Sequence, residues 1–304
     1  MTEPREQPQR AGRLLVVGAA CLTLVLWSGT AIANKVAVGQ MDALTAGVLR
    51  SLLAGVIAAV IAIGARLPLP RSPREWMLLA VSGFASFAAW PMLLSVGIGL
   101  TTANHAALIM AMIPVFTGLI AAAVDRRWPV PAWWLGVLVA AIGTFALVTQ
   151  RSVVAAAEPE ATLLGDLVIL SGVGICALGY VAGGKLSPVL GTKATTFWGL
   201  AAATTVLAPT LLLLLPRTDW SAVAAEGWLA IGYMTLMSSI VGYALWFWAL
   251  GHGGIARIGT LQFAQPVLTL LLAVPILGES LTWPLLLSGA VILAGVAIAQ
   301  RQPT

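Results

Sequence analysis

Two apolar stretches with a central proline decide the fold: residues 101–124, TTANHAALIMAMIPVFTGLIAAAV, and residues 255–277, IARIGTLQFAQPVLTLLLAVPIL. Each is long enough to cross a bilayer as a helix. Pro114 and Pro266 lie near the middle of the stretches, and both are followed by valine. A proline inside a helix removes a backbone hydrogen bond and loosens the turn before it. Loosened helices at matching places in two halves are typical of a transporter binding site, and two ordinary kinked helices are the alternative.

The composition indicates a membrane protein. Of the 304 residues, 60% are hydrophobic and 9% are charged, whereas soluble domains carry about 25% charged residues. The net charge of +5 comes from basic residues in short loops, which argues against a nucleic-acid partner. Cys21 and Cys176 lie inside apolar segments and are interpreted as packing residues. We recognise no catalytic set, no metal-ligand spacing and no phosphate-binding glycine loop, and therefore expect no metal and no cofactor.

Hydropathy predicts an all-α integral membrane protein with ten transmembrane helices. The predicted spans are residues 14–36, 43–64, 76–98, 102–124, 131–149, 164–184, 194–215, 227–250, 255–277 and 282–299. The longest connection, residues 150–163, divides one integral membrane unit into a five-helix repeat at 1–150 and a second at 151–304. Because five is odd, the two repeats must have opposite orientations, as in many secondary transporters.

The two halves match beyond their prolines. Lys35 near the end of the first span corresponds to Lys185 near the end of the sixth. Asp125, after the fourth span, is loosely matched by Glu279 after the ninth, and the run that starts at Pro91 lies over the run that starts at Tyr243. This internal similarity supports the inverted-repeat prediction.

Basic residues predict the orientation. With the N-terminus inside, 12 of the 16 Lys and Arg residues fall on the inner side, and 4 fall on the outer side or in the outer parts of spans. The positive-inside rule then puts both termini in the cytoplasm. The apolar run at residues 14–36 is longer than the core of a signal peptide, so we expect an uncleaved first span. The expected location is a bacterial-type inner membrane, which the chain crosses several times.

Polar and aromatic residues inside the spans are the candidate site. Arg50 lies seven residues into the second span, where a charge is expensive and suits a substrate carboxylate; snorkelling or bonding to carbonyls is the alternative. Gln262 and Gln265 share a helix face, and two amides in hydrocarbon need a polar cavity. His105 fits binding, but also packing or capping. The candidate substrate-binding residues are Trp27, Arg50, Trp90, His105, Met110, Tyr243, Trp246, Gln262 and Gln265, with Pro114 and Pro266 as hinges.

All eleven acidic residues fall in termini, in loops or near the end of a span. A carboxylate in the middle of the membrane, the usual proton relay, is therefore missing. We predict that the substrate moves down its own gradient without obligatory proton exchange. The alternative is coupling through His105, Asp166 or Glu279, if helix kinks and water bring them inward.

The whole chain resembles the drug/metabolite transporter superfamily, of the EamA type. The resemblance is carried by Trp27-Ser28-Gly29, Arg50, Ala106-Ala107, Pro114-Val115-Phe116, Gln265-Pro266-Val267, Gly278-Glu279, Gly289 and Gly295. Within the superfamily the chain is most similar to the YddG-type exporters of aromatic amino acids. The resemblance implies ten helices in two inverted repeats that move small metabolites. Many relatives carry Glu where this chain has Gln265, which puts a proton-titrating role of that position in doubt.

These features together predict a secondary transporter, an exporter of aromatic or bulky apolar amino acids. Alternating access around a midplane cavity between the repeats is the predicted mechanism, and the direction follows from the resemblance alone. The alternatives are an exporter of another metabolite or drug, and a non-transporting membrane enzyme or scaffold. The expected partners are a small-molecule substrate and the lipid bilayer.

Overall fold

The computed structural model describes residues 12–126, 130–149, 162–253, 261 and 264–300, and their regular structure is entirely helical. The helices up to the midpoint are α1 (Arg13–Val38), α2 (Ala43–Gly64), α3 (Pro73–Ser82), α4 (Trp90–Gly99), α5 (Ala103–Met110), α6 (Ile113–Asp125) and α7 (Pro131–Thr149). The later helices are α8 (Leu163–Leu190), α9 (Thr192–Leu214), α10 (Ala225–Gly232), α11 (Tyr243–Gly253), α12 (Ala264–Leu277) and α13 (Trp283–Gln300). Two π-helical segments, Gly83–Ala89 and Tyr233–Gly242, join α3 to α4 and α10 to α11.

Seven helical segments of the described chain are long and apolar enough to cross a membrane. They are Leu14–Val38, Ala43–Gly64, Pro73–Gly99, Ala103–Asp125, Leu163–Leu190, Thr192–Arg217 and Ala225–Trp246. Three shorter apolar helices are Pro131–Leu147, Ala264–Leu277 and Trp283–Ala299. The prediction of an all-helical membrane protein is thereby confirmed. Part of the predicted ninth span lies outside the described residues.

Short polar side chains start four of the helices. Asp42, Ser72, Thr102 and Thr162 each accept a hydrogen bond from the N–H group three residues further on. The first N–H groups of a helix have no helical partner, and such a cap contributes about 1 kcal/mol. In a chain in which apolar residues continue almost without interruption, these caps determine where the helices begin.

Glycines bring α7 and α13 into close contact. A Cβ atom added at Gly136 would lie 2.3 Å from the backbone nitrogen of Ala299, and one at Gly295 would lie 2.2 Å from that of Ala140. Small residues allow such backbone contact, which drives helix association where lipid is as apolar as the side chains. The other helices form the part of the bundle that contains the cavity described below. In it, α1 packs against α11, α12 and the second π-helical segment, and α2 packs against α4 and α9.

Candidate functional site

A cavity lies among the helices of this bundle. The volume that the centres of water molecules can occupy in it is about 100 Å³, which is several times the volume that one water requires. Its described lining combines one arginine, one glutamine, five Ser or Thr hydroxyls, five aromatic side chains and five aliphatic ones, and it includes no acidic residue. The cavity is therefore partly polar and carries one fixed positive charge.

Arg50 on α2 provides that charge. Its side chain is buried, with 6% of the residue exposed. Nη1 donates to the sulfur of Met234 at 3.5 Å, and Nε has no hydrogen-bond partner among the described residues. A thioether is a weak acceptor, and a buried guanidinium normally requires several acceptors. Arg50 thus does not snorkel to the membrane surface; it lines the cavity with unused donor capacity.

Aromatic side chains form one wall of the cavity. The ring centroids of Trp27 and Tyr243 are 5.4 Å apart, and those of Tyr243 and Phe87 are 5.7 Å apart with perpendicular planes. Trp246 packs behind Trp27 at 5.3 Å and does not itself line the cavity. Trp27 Nε1 donates to the carbonyl of Ser238 at 3.0 Å, which fixes the orientation of the indole. Such a wall suits a planar or bulky apolar group.

Both π-helical segments contribute to the cavity lining. Ser86 and Phe87 come from the first segment, and Ser238 and Ser239 come from the second. A π-helical turn holds one more residue than an α-helical turn and is frequent at functional sites. The sequence prediction missed these residues. The serines inside an otherwise apolar run were the available signal.

The helix containing Pro114 is broken at the cavity. Helix α5 ends at Met110 and α6 begins at Ile113, and both of these residues line the cavity. The break falls immediately before the proline, where the sequence predicted a loosened turn. A hinge role of this break stays a prediction.

Pro266 lies in the first turn of α12, which is tied to α1. Ser28 Oγ and Thr269 Oγ1 both lie 3.1 Å from the carbonyl of Gln265, and Thr269 Oγ1 is also 3.1 Å from the carbonyl of Ser28. Ser28 Oγ makes its shorter hydrogen bond, at 2.6 Å, to the carbonyl of Leu24. The residues immediately before α12 lie outside the described chain. The structure therefore describes how this helix is anchored beyond the proline, and the predicted hinge at Pro266 stays untested.

His105 lies in a polar cluster at one end of the bundle. Its Nδ1 is 3.1 Å from the fully buried carboxylate of Asp166, to which Thr101 Oγ1 also donates at 2.7 Å. Glu279 accepts the N–H groups of residues 103 and 104 at 2.6 and 2.9 Å. Lys35 Nζ donates to the carbonyl of Thr101 at 2.8 Å. We call Lys35, Thr101, His105, Asp166 and Glu279 the end cluster.

The structure brings six of the nine predicted substrate-binding residues to the cavity. They are Trp27, Arg50, Trp90, Met110, Tyr243 and Gln265. His105 lies in the end cluster, Trp246 supports Trp27, and Gln262 lies outside the described residues. Tyr180 is a lining residue that the prediction missed; a tyrosine deep in an apolar span was its signal. In the described part of the chain, no group of three or more His, Cys, Asp or Glu residues is arranged for a metal ion.

Apolar helices that surround a partly polar cavity define a membrane protein of the transporter class. The family model described as "EamA-like transporter family" matches residues 14–149 and 163–300, and the chain belongs to this family. The predicted resemblance is thus confirmed. Transport is not an enzymatic reaction, and a family of transporters implies a small-molecule substrate and a lipid environment.

Relatives agree with this assignment, and a solved structure shares the fold. "Uncharacterized transporter YdeK" of Bacillus subtilis is 30% identical over 91% of this chain and 94% of its own length. "Probable terminal-alkyne amino-acid exporter" of Streptantibioticus cattleyicolor is 25% identical over 94% of this chain and 93% of its own. A crystal structure aligns with a TM-score of 0.63 at 20% identity, covering 93% of this chain and 96% of that one, and therefore shares the fold.

Proposed function

We propose that the protein exports aromatic or bulky apolar amino acids through the cavity that Arg50 lines. The observation that carries the proposal is a buried guanidinium with an unpartnered Nε and no acidic residue among the described lining residues. A carboxylate accepts two parallel hydrogen bonds from a guanidinium, and in a site of low dielectric this contact is both strong and geometrically specific. A substrate carboxylate would therefore supply the acceptors that Arg50 lacks.

The aromatic wall supports the choice of side chain. Tyr243 contacts both Trp27 and Phe87, and all three line the same cavity as Arg50. A solute with a carboxylate at one end and an apolar ring at the other would match both features. The relative named as an amino-acid exporter supports the same class of substrate. The fixed positive charge disfavours cationic drugs, which is the main alternative among exporters.

We further propose ten spans in two inverted repeats, residues 1–150 and 151–304, that alternate access to the cavity. Two matched stretches of the family model support this arrangement. The π-helical segments support it too, because each directly precedes the helix that completes its span, α4 in one half and α11 in the other. In this arrangement the two π-helical segments are equivalent elements that face one substrate.

Charged residues at the two ends of the bundle fit alternating access. Lys185 and Asp125 form an ion pair. Their counterparts by the sequence match, Lys35 and Glu279, both bind the turn around residues 101–104 in the end cluster. If the halves are inverted repeats, these two sets lie at opposite ends of the transport path. Opening one end would separate its set while the other stays intact.

The proposed substrate class is tested by uptake into proteoliposomes across a panel of amino acids and amines. We expect saturable uptake of phenylalanine, tryptophan and leucine, and little uptake of phenethylamine, which lacks the carboxylate. Lysine and glutamate serve as charged controls with the same backbone groups. Uptake of phenethylamine in preference to phenylalanine would overturn the proposal.

Both termini are expected in the cytoplasm of the bacterial-type inner membrane. The split of basic residues motivates this orientation. Fusions of alkaline phosphatase and of green fluorescent protein at residue 304 and within residues 150–163 measure it. Fluorescence is expected at residue 304 and phosphatase activity within 150–163. A cytoplasmic signal from 150–163 would contradict the ten-span arrangement.

A pH gradient is expected to leave the final distribution of substrate unchanged. The described cavity lining holds no acid and no histidine, and Asp166 is committed to Thr101 and His105 in the end cluster. With substrate at equal concentration on both sides and one pH unit across the membrane, we expect an inside-to-outside ratio near 1. Obligatory exchange with one proton would give about tenfold accumulation. Such accumulation would refute the prediction that transport needs no proton exchange. Loss of the accumulation in His105→Gln would identify His105 as the residue that carries the proton.

Gln265→Leu is expected to lower phenylalanine uptake about five- to tenfold without loss of folded protein. The side chain lines the cavity, whereas the contacts that anchor α12 to Ser28 use the backbone carbonyl of Gln265 and survive the substitution. Losing one neutral hydrogen bond costs about 1 kcal/mol. Initial uptake rates and size-exclusion profiles measure the two effects. A parallel loss of folded protein would instead assign the amide a structural role.

A further inference from the structure

The helix break at Pro114 leaves two backbone carbonyls without their helical donors. Proline has no N–H group, so the bond that residue 114 would donate to the carbonyl of Met110 cannot form. The N–H group of Val115 donates to the carbonyl of Met112 at 3.0 Å instead of to that of Ala111. No side chain in the described part of the protein donates to either carbonyl. Such acceptors are costly inside a membrane unless a ligand, water or neighbouring helix satisfies them.

The break also forms part of the cavity wall, because Met110 and Ile113 on its two sides are both lining residues. The cavity carries the positive charge of Arg50 and no carboxylate among its described lining. A zwitterionic substrate therefore finds a partner for its carboxylate but no charged partner for its ammonium group. The hydroxyls of Thr30 and Ser238 are bonded to each other at 2.8 Å, and Ser239 Oγ donates to the carbonyl of Met234. Met110 is a lining residue, and its carbonyl lacks its helical donor, so it is an available acceptor at the cavity.

We infer that the carbonyl of Met110 binds the ammonium group of the substrate. The inference rests on the proposed function, because it requires a zwitterionic amino acid whose carboxylate is held by Arg50. An ammonium group presents three N–H donors, which match partial negative charges at an interrupted helix. The same break would then recognise the substrate and set the angle between α5 and α6. Selectivity for amino acids over simple carboxylic acids would come from backbone atoms, which is why no acidic residue is needed.

Two solutes and one substitution test this subsite. Phenylalanine and 3-phenylpropanoate differ only in the ammonium group, and wild type is expected to transport phenylalanine at least about tenfold more efficiently. Pro114→Ala restores an N–H donor for the carbonyl of Met110. We expect it to lower phenylalanine uptake about tenfold and to change 3-phenylpropanoate uptake little, so that the preference nearly disappears. Pro209→Ala is the matched control, because Pro209 lies inside α9, is exposed and does not line the cavity.

The outcomes separate the subsite from the proposed function. If Pro114→Ala slowed the transport of both solutes equally, the break would act only as a hinge, and the subsite would be overturned. Equal transport of both solutes by wild type would also overturn the subsite and leave the proposed function intact. Transport of neither solute by wild type would overturn both.

A measurement on the wild-type protein keeps the inference testable if Pro114→Ala does not fold. N,N,N-trimethylphenylalanine keeps the positive charge but has no N–H donors. Recognition by the carbonyl predicts at least about tenfold weaker transport of this analogue, whereas recognition by the aromatic wall through cation–π contacts predicts no loss. Replacing all Na⁺ by N-methylglucamine is expected to leave phenylalanine uptake unchanged. Loss of uptake would mean that a metal cation, not the ammonium group, occupies the break, and would overturn the inference.

Discussion

Arg50→Gln is expected to lower phenylalanine transport by about ten- to hundredfold while the protein still folds. A hydrogen bond to a charged group contributes about 1.5–3 kcal/mol, which corresponds to this range. Arg50→Lys is expected to transport worse than wild type, because an ammonium group cannot make the two parallel bonds of a guanidinium. Thermal stability should not fall, since the substitution removes a buried cation whose Nε is unpartnered among the described residues. Initial rates in proteoliposomes and unfolding curves in detergent measure both effects.

Arg217→Gln is the matched control for the Arg50 variants. Arg217 is exposed at the end of a short 3-10 turn and does not line the cavity. It should leave transport unchanged. If Arg50→Lys kept both the maximal rate and the apparent affinity for phenylalanine, Arg50 would not be the carboxylate site.

The second large effect is expected for Asp166→Ala, in thermal stability. Asp166 is fully buried, and its loss leaves Thr101 Oγ1 and His105 Nδ1 without this partner. Leaving a buried polar atom without its hydrogen-bond partner costs about 1–3 kcal/mol, and two atoms lose this partner here. Asp166→Asn should cost less, because an amide oxygen still accepts the hydrogen bond from Thr101. The midpoint of thermal unfolding in detergent measures the effect.

Asp125→Ala provides the comparison for Asp166. Asp125 also pairs with a basic side chain, Lys185, but both partners are substantially exposed. Exposed pairs contribute about 0–1 kcal/mol. Asp125→Ala is therefore expected to shift the midpoint little, and equal shifts for the two variants would show that the end cluster does not stabilise the fold.

Much of the candidate site could be predicted because polar groups are expensive in hydrocarbon. Arg50 and Gln265 stand out in apolar spans, and each requires a cavity or a partner. The break before Pro114 follows from covalent chemistry, since proline lacks an N–H group. For residues of this kind, the type of amino acid alone predicts the structural consequence.

Other features depend on contacts that distant parts of the chain provide. The π-helical segments have the composition of ordinary apolar helix, so hydropathy does not distinguish them. Asp166 lies within a turn of a helix end, and its position in the sequence does not reveal that it is fully buried. The partners that bury it, Thr101 and His105, lie more than 60 residues away in the chain. His105 was a candidate for substrate binding because the sequence of its own span does not reveal that its neighbour is Asp166.

The central claim is that a substrate occupies the cavity between the two π-helical segments. The most direct test is whether substrate protects the thiol of Ser239→Cys from labelling. Ser239 is a lining residue that is not fully buried. Cys21 and Cys176 are first replaced by serine and alanine. Phenylalanine is expected to slow the reaction of the Ser239→Cys thiol with a small methanethiosulfonate reagent in proportion to its occupancy. Ser221→Cys, outside the helices and exposed, should react at the same rate with and without phenylalanine. Unprotected labelling of Ser239→Cys at phenylalanine concentrations that saturate uptake would contradict the account.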